Sequence, residues 1–559
     1  MKRNLIILSI LLFAMGIAAK ERSLNEIRNI ASNYLYRVST SKAQQAKAKG
    51  NTTLRVLHAD KNLTVMGTSE AGFVIVANDD AFQPVVGYSD GSFDMSNNES
   101  LAWFVSAVSS SMKSMLEDGR VRRLPVAPQA APVAPLLVST WSQSTPYNNM
   151  CPSTEGGNHY PCGCVATAMG QIMNYHKYPE HGSGEKQYSF RPATGEGQLL
   201  YANFGETYYD WDNILDQYTT GDYTDVQADA VALLLLQSGV AVEMQYTPSG
   251  SGAYSSEAKN GLIKYFLYNE NLGIFYRDYY SLEVWMQMIY EELNKQRPIY
   301  YAGVDENRGG HAFVVDGYNA EGFVHINWGW GPDGGNGYYD ITLLNPSGYS
   351  FSIGQNMIMG IAKPTETVEY QSHIVSPDDF IVSNATKIAT NNYITGVSVG
   401  TRLYNVSGGA WTGSLAIIMK NGNKTYVLQE RTVSSTADGY NVLSNISENF
   451  KAAIKIPEVA NGTYHLFVAS KDGRDDDWRL VRREERLVNS YLITITDGEV
   501  IKFESNVDDT WPITTAINAV TVTKPVVSDN NWYTIDGQRL NGEPTQRGIY
   551  IHNGHKVLK

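Results

Sequence analysis

The sequence predicts an α+β protein assembled from several units, and three observations predict it. Helical and strand-like periods alternate between about residues 20 and 364. After residue 366 the helical period vanishes and short strand-like runs recur between turns, the pattern of a β-sandwich. Between these signals, the segment VRRLPVAPQAAPVAPLLV carries Pro125, Pro128, Pro132 and Pro135, four of the chain's 20 prolines. The 559 residues, at about 150 per domain, suggest roughly three to five units, with ample length to bury cores.

Composition narrows the function classes. Only 18% of residues are charged and 11% are aromatic, with 36 Tyr and 49 Gly, which suits folded, strand-rich modules rather than disorder. The formal net charge of −13 makes the chain a poor partner for phosphate backbones, so nucleic acid is not an expected ligand.

Lys2 and Arg3 precede an apolar run over residues 5–13 and the small residues Ala14, Gly16, Ala18 and Ala19, the layout of a secretory signal over 1–19. No later stretch approaches the ~20 apolar residues of a membrane span, so no transmembrane segment is expected. A module over 20–124 follows. Ser23 and Glu26 form a capping box before an amphipathic helix, runs at 63–66, 73–77 and 84–88 read as strands, and Leu101, Phe104, Val105, Val108, Met112 and Met115 repeat at helical spacing before Gly119. The prolines over 125–136 predict an extended, exposed linker open to proteolysis. In the unit over 137–364, helices are predicted at 226–237, 255–268 and 282–295, the last opened by Ser281 and stopped before Pro298, with strands at 299–304, 312–316 and 323–328. Strand runs at 414–419, 425–429 and 463–469 mark the sandwich over 365–506, and a β-rich tail fills 507–559.

The segment PCGCVATAMGQIMNYHKYP puts Cys164 at the start of a predicted helix. Backbone N–H groups and the macrodipole favour a thiolate there, and a neighbouring imidazolium lowers a thiol pKa further, to ~3–4 in the strongest cases. His311, in GGHAFVVDGY, lies 311 − 164 = 147 residues downstream, within the ~130–150 expected when two halves of a papain-type chain bring nucleophile and base together. Asn327, Trp328 and Trp330 follow in HINWGWG, offering an amide or an indole to orient the imidazole and aromatic faces to exclude water. The cysteine count is odd: Cys151 and Cys162 either form a disulfide and leave Cys164 free, or all three stay reduced. His159, His176 and His325 read as structural, no metal-binding spacing accompanies them, and no metal or cofactor is expected. GPDGGNG reads as a turn, and the acidic run 475–477 as a solvated loop.

The words GCVATAMGQIMNYHKYP, GVDENRGGHAFVVDGY and HINWGWG resemble the nucleophile, histidine and tryptophan motifs of the streptopain family of papain-like cysteine peptidases, including the interpain type with C-terminal additions. The likeness runs from about 20 to 364. It implies a two-lobed papain-like fold with Cys164 as nucleophile, His311 as general base and Gln143, in TWSQSTPYN, as an oxyanion donor. Either Asn327 or Trp328 would orient His311. Gly310 would border the cleft, Trp330 would serve the cleft or the core, and the segment 246–256 would be the substrate-binding loop, with the family's serine falling on Gly252 beside Ser251. FVIVANDDAFQPVVGYSDGSFD resembles the family's propeptide, which folds separately and covers the cleft as an intramolecular inhibitor. A zymogen is therefore expected, opened in the linker by itself or by a trypsin-like helper near Arg122 and Arg123, releasing residues 20 to about 135. Extended protein and peptide segments are the implied substrates. YTIDGQRL and RGIYIHNGHKVLK are similar to sorting signals of the type IX secretion route, which implies passage through the periplasm to the outer surface or beyond. The sandwich carries no catalytic set and reads as an accessory module for a host or surface ligand. The competing reading is a surface adhesin, binding host protein or glycan, whose peptidase part is vestigial.

Overall fold

The computed structural model describes residues 20–38, 54–117, 128–305, 309–344, 355–507 and 532–558, apart from short internal stretches at 69–71, 129, 155, 192–196, 370–373, 423, 446–449, 474–476, 535–538, 541, 545–548 and 553–554. The expected signal segment, the Arg122 and Arg123 pair, most of the acidic run and residues 508–531 of the tail lie outside the described residues.

Helix α1 (Leu24–Val38) opens as its sequence predicts: Glu26 N–H donates to Ser23 Oγ at 3.3 Å, and Ser23 N–H donates back to Glu26 Oε2 at 2.7 Å. Strands β1 (Arg55–Ala59), β2 (Leu63–Thr68), β3 (Gly72–Ala77) and β4 (Val85–Ser89) form an antiparallel meander, and α2 (Glu99–Glu117) follows. Both faces of β2 and β3 are buried. Met66, Val74 and Val76 pack under Ile27, Ala31 and Leu35 of α1, whereas Leu63, Val65, Phe73 and Ile75 join Leu101, Phe104 and Val108 of α2.

The next unit has two lobes. In one, α3 (Cys164–His176), α4 (Asp225–Ala241) and α5 (Ser255–Lys264) pack with a hairpin of β5 (Glu185–Phe190) and β6 (Gln198–Asn203) around Met169, Ile172, Leu234, Leu235 and Tyr246. Helix α5 stops at Lys264, short of the predicted 268, because Leu267 takes φ 58°, outside the helical region. In the other lobe, β7 (Gly273–Tyr276), β8 (Ile299–Asp305), β9 (Gly309–Tyr318), β10 (Val324–Asn327), β11 (Gly337–Tyr339) and β12 (Asn356–Met359) pair beside α6 (Leu282–Asn294), whose cap Ser281 accepts from Val284 N–H at 3.4 Å.

The meander of the N-terminal module joins the sheet of the peptidase lobe. β4 pairs antiparallel with β11, Gly87 opposite Tyr339 and Ser89 opposite Gly337, so one ten-stranded sheet runs β1-β2-β3-β4-β11-β10-β9-β8-β12-β7. Helix α2 lies over the shared sheet. Trp103 and Phe104 sit in one core with Trp285, Phe313 and Trp328.

The end of the linker, where Ala131, Pro132, Ala134 and Pro135 are exposed as expected, is nevertheless paired with the peptidase. Val133 N–H donates to Tyr318 O at 3.1 Å, Tyr318 N–H returns to Val133 O at 2.9 Å, and Leu136 N–H donates to Asp316 O at 2.9 Å. Both donating linker residues, Val133 and Leu136, directly follow a proline, so the N–H groups that Pro132 and Pro135 lack are not the ones the pairing uses. Val133 is buried, and the end of the linker is a strap along β9.

Beyond residue 374, strands Lys424–Thr436, Trp411–Asn421, Gly462–Asp472, Ser490–Thr496 and Glu499–Asn506 pair antiparallel in that order, facing smaller sheets across a core of Ile394, Leu415, Ile417, Leu466 and Ile493. This is the layered packing the alternating pattern predicts. In the tail, Arg539–Leu540, Trp532–Thr534, Ile549–His552 and His555–Leu558 form a separate antiparallel sheet.

A Cβ at Gly87 would lie 2.5 Å from the Tyr339 ring at the β4–β11 junction. Overpacking of this kind costs about 1–3 kcal/mol. Gly87→Ala should lower the melting temperature of the full chain by about 2–4 °C relative to wild type, as read by calorimetry.

Candidate active site

Cys164 is the first residue of α3, preceded by Gly163 at φ 92°. A side chain at Gly163 would meet Met244 at 2.8 Å and the Ser251 carbonyl at 2.9 Å, so this turn into the helix requires glycine on conformational and steric grounds. β8 and β9 pair with His311 opposite Gly303 and Ala312 opposite Ala302. The result is a cleft of 570 Å³ lined by Cys164 and His311 together with Val242, Tyr254, Gly252 and Gly310.

The structure therefore brings Cys164, His311, Gly310 and Gly252 to one cleft. Gln143 is buried, and its carbonyl accepts from Cys162 N–H at 3.0 Å, two residues before the candidate nucleophile. Other expectations need correction. Ser251 does not line the cleft; it is buried, its Oγ donates to Pro161 O at 2.7 Å, and its carbonyl backs Gly163. Asn327 does not reach His311. Its Nδ2 donates to Ser139 O at 2.7 Å and to Gln171 Oε1 at 3.2 Å, while its Oδ1 accepts from Gln171 Nε2 and Gly329 N–H, each at 3.1 Å. Trp328 is fully buried, with ring contacts to Phe104, Phe313 and Tyr339. Trp330 is held away from the cleft by its Nε1, which donates to Ser100 Oγ of α2 at 2.9 Å. Of the two states left open for Cys151 and Cys162, the structure has the reduced one, with both as free thiols. Cys162 lies 3.4 Å from Thr167 Oγ1, and burial raises its pKa to about 12.

The surroundings of Cys164 act on its thiol in opposing directions. Burial pushes its pKa above the ordinary 9.0, more strongly than hydrogen bonds from the backbone of Ala312, Val165 and Cys164 pull it down, and the Glu99 carboxylate of α2 adds to the rise. The N-terminal module supplies further cover, for Trp103 is fully buried with its ring 6.4 Å from His311 and 6.1 Å from Phe313. It fits against β8 only because Gly303 has no side chain, since a Cβ there would lie 2.6 Å from the indole. Trp103, Ser100 and Glu99 were missed as site residues. Their sole sequence signal was the apolar spacing of α2, which marks a buried face and not its target. Gln171 was missed too, as an amide in mid-helix carries no local signature.

A helix-borne cysteine and a strand-borne histidine at one interlobe cleft define a thiol hydrolase of the papain type. The comparisons make this specific. A Peptidase C10 family model matches residues 141–339, and one described as Spi protease inhibitor matches 19–112. Streptopain of Streptococcus pyogenes is 35% identical over 302 residues, 51% of this chain and 75% of that protein. The thiol protease/hemagglutinin PrtT of Porphyromonas gingivalis is 28% identical over 454 residues, 77% of this chain and 51% of that protein. The structure of a prointerpain A fragment of Prevotella intermedia aligns with a TM-score of 0.51 and 40% identity, over 56% of this chain and 98% of that one. The chain belongs to the streptopain family, peptidase C10, and is a cysteine-type peptidase with an inhibitor-like N-terminal domain.

With the thiol pKa raised, alkylation of Cys164 in the full chain should keep accelerating as the pH passes 9.0. Trp103→Ala removes a buried indole, a change that costs about 3–5 kcal/mol in a packed core. Alkylation by iodoacetamide at pH 7, mapped to Cys164 by mass spectrometry, should then speed up at least ~10-fold. An unchanged rate would show that Trp103 does not shield the cleft.

Proposed function

We propose that this protein is an exported cysteine endopeptidase made as a zymogen, in which Cys164 and His311 form the reacting pair. The observation that carries the reading is their convergence: the first residue of α3 and a residue of β9 line one cleft, while α2 of the inhibitor-like domain lies beside it. Once α2 departs, the thiol loses part of its desolvation and the Glu99 carboxylate, and the N–H groups at the head of α3 favour its ionisation. The Cys164 thiolate attacks the peptide carbonyl. His311 in its protonated form gives a proton to the leaving amine and then, as a base, activates water against the thioester. The oxyanion is held by Cys164 N–H and the Gln143 amide, a type of donor worth about 3–4 kcal/mol each.

Substrates are extended protein segments, with an apolar side chain preferred next to the residue at the scissile bond. The family resemblance supports that preference, and the cleft lining of Val242, Tyr254 and Tyr300 suits it. The inhibitory propeptide spans 20–124, the peptidase 137–364, the accessory sandwich 365–506 and the sorting tail 507–559. Because the strap at 133–136 pairs with β9, the maturing cut falls upstream of Ala131, and the strap stays with the enzyme. The signal-like start and the tail support export through the periplasm to the outer surface or beyond. A second reading adds to the first. An alignment over 77% of the chain with a relative named thiol protease/hemagglutinin extends past residue 364 into the sandwich, which supports an adhesive role for that module beside peptidase activity.

Cys164→Ser should abolish casein cleavage by the matured protein, at least ~10⁴-fold, and His311→Ala nearly as far, because members of such a pair act as a unit. Undiminished hydrolysis by either variant would overturn the assignment.

A further inference from the structure

The buried amide pair of Gln171 and Asn327 has no place in the mechanism above, although it joins three elements that carry the site. Gln171 lies in mid-α3, two turns beyond Cys164, and is fully buried; Asn327 ends β10 and is 3% exposed. Their side chains pair reciprocally, Gln171 Nε2 to Asn327 Oδ1 at 3.1 Å and Asn327 Nδ2 to Gln171 Oε1 at 3.2 Å. The same Gln171 Oε1 accepts from Ser139 Oγ at 3.1 Å and Trp141 N–H at 3.2 Å, and Asn327 Nδ2 donates to Ser139 O at 2.7 Å. A backbone N–H and a backbone C=O thus dictate how the two amides face, because only one orientation of each satisfies them.

Besides Gly329 N–H, which donates to Asn327 Oδ1 at 3.1 Å, the pair grips the segment that leads to Gln143. Residues 139–141 are bonded from one side by Gln171 and Asn327 and from the other by Gly331 N–H, which donates to Trp141 O at 2.9 Å. Two residues on, the Gln143 carbonyl meets Cys162 N–H. We propose that Gln171 is a positioning residue for the oxyanion hole: through the amide pair with Asn327 it holds the segment carrying Gln143 at a fixed place against the helix carrying Cys164. On this account Asn327 serves oxyanion geometry through Gln171 instead of orienting the imidazole. Buried, fully paired amides suit that task, because loss of one partner leaves the others unsatisfied in a medium that cannot hydrate them.

The inference rests on Cys164 being the nucleophile, and the test separates the two. Full-length Gln171→Met, Gln171→Glu and Cys164→Ser are matured with bead-bound wild-type enzyme, which is then filtered off. Peptide hydrolysis is compared with alkylation of Cys164 by iodoacetamide, a reaction that develops no oxyanion. For Gln171→Met, kcat should fall on the order of 10- to 100-fold with KM within about twofold, in keeping with a displaced oxyanion donor, while alkylation stays within about twofold of wild type. Gln171→Glu should recover kcat relative to wild type as the pH falls, since a protonated carboxyl can again donate to Asn327 Oδ1. This variant also decides the matter if Gln171→Met fails to fold. Unchanged kcat, or kcat and alkylation falling together, would overturn the positioning role. Hydrolysis by Cys164→Ser would instead discredit the nucleophile on which it rests.

Discussion

The molecule is organised around β9, a strand buried on both faces. Alternation assigns His311, Phe313 and Val315 to one side and Ala312 and Val314 to the other. Phe313 and Val315 join the core with Trp103 and Trp328, whereas Ala312 and Val314 join the core of the helical lobe together with Cys164. One strand therefore carries the candidate base, meets the candidate nucleophile through Ala312, and accepts the strap at Tyr318 and Asp316. Its register with β8 cannot slip by one residue without exchanging these two sets of side chains. The cleft exists because both lobes pack against this strand.

Sharing the sheet has consequences for latency. The N-terminal module is tied to the peptidase by β4 on β11, by Ser100 on Trp330 and by Ser89 Oγ donating to Asn336 O at 2.6 Å. These three ties fall on β11 or the loop leading into it, a short region that also borders Trp328, and further contacts reach beyond it, with Tyr88 accepting from Asn319 and Trp103 packing on Gly303. The edge uncovered by its departure is only the three residues of β11, short enough to limit unwanted pairing with other chains. The module that packs beside the cleft also brings the Glu99 carboxylate, which adds to the upward shift that burial imposes on the Cys164 thiol.

What the sequence revealed follows from the range of each interaction. The capping boxes of α1 and α4, the Ser281 cap and the apolar alternation of β2, β3, β8 and β9 are local, and each left a local pattern. The convergence of Cys164 and His311 was legible only because their separation matched a known two-lobed architecture. Prolines predicted a linker but not its docking, since that depends on which N–H groups meet β9. Ser251 and Asn327 were placed by motif resemblance, and the structure turns both toward backbone partners that sequence proximity does not reveal, Pro161 for one and Ser139 for the other. The role of Trp103 was hidden for a similar reason: a buried tryptophan on an amphipathic helix looks the same whether it fills its own domain or covers another.

The sandwich approaches the peptidase at the end of the shared sheet farthest from the N-terminal module. The chain leaves β7 through a turn at Arg277–Tyr279, and there Arg277, almost wholly buried, lies 3.6 Å from Glu485, while Glu485 N–H donates to Asp278 O at 3.0 Å. Arg482 stacks over Tyr280 at 4.2 Å. A buried arginine stripped of its carboxylate would leave an uncompensated charge, so this contact specifies a docking geometry more than it adds net stability. Loss of the N-terminal module uncovers β11 at one side of the sheet and leaves the Arg277 turn at the other intact. Unlike the contacts of the inhibitor-like domain, those of the sandwich with the peptidase therefore do not depend on β11.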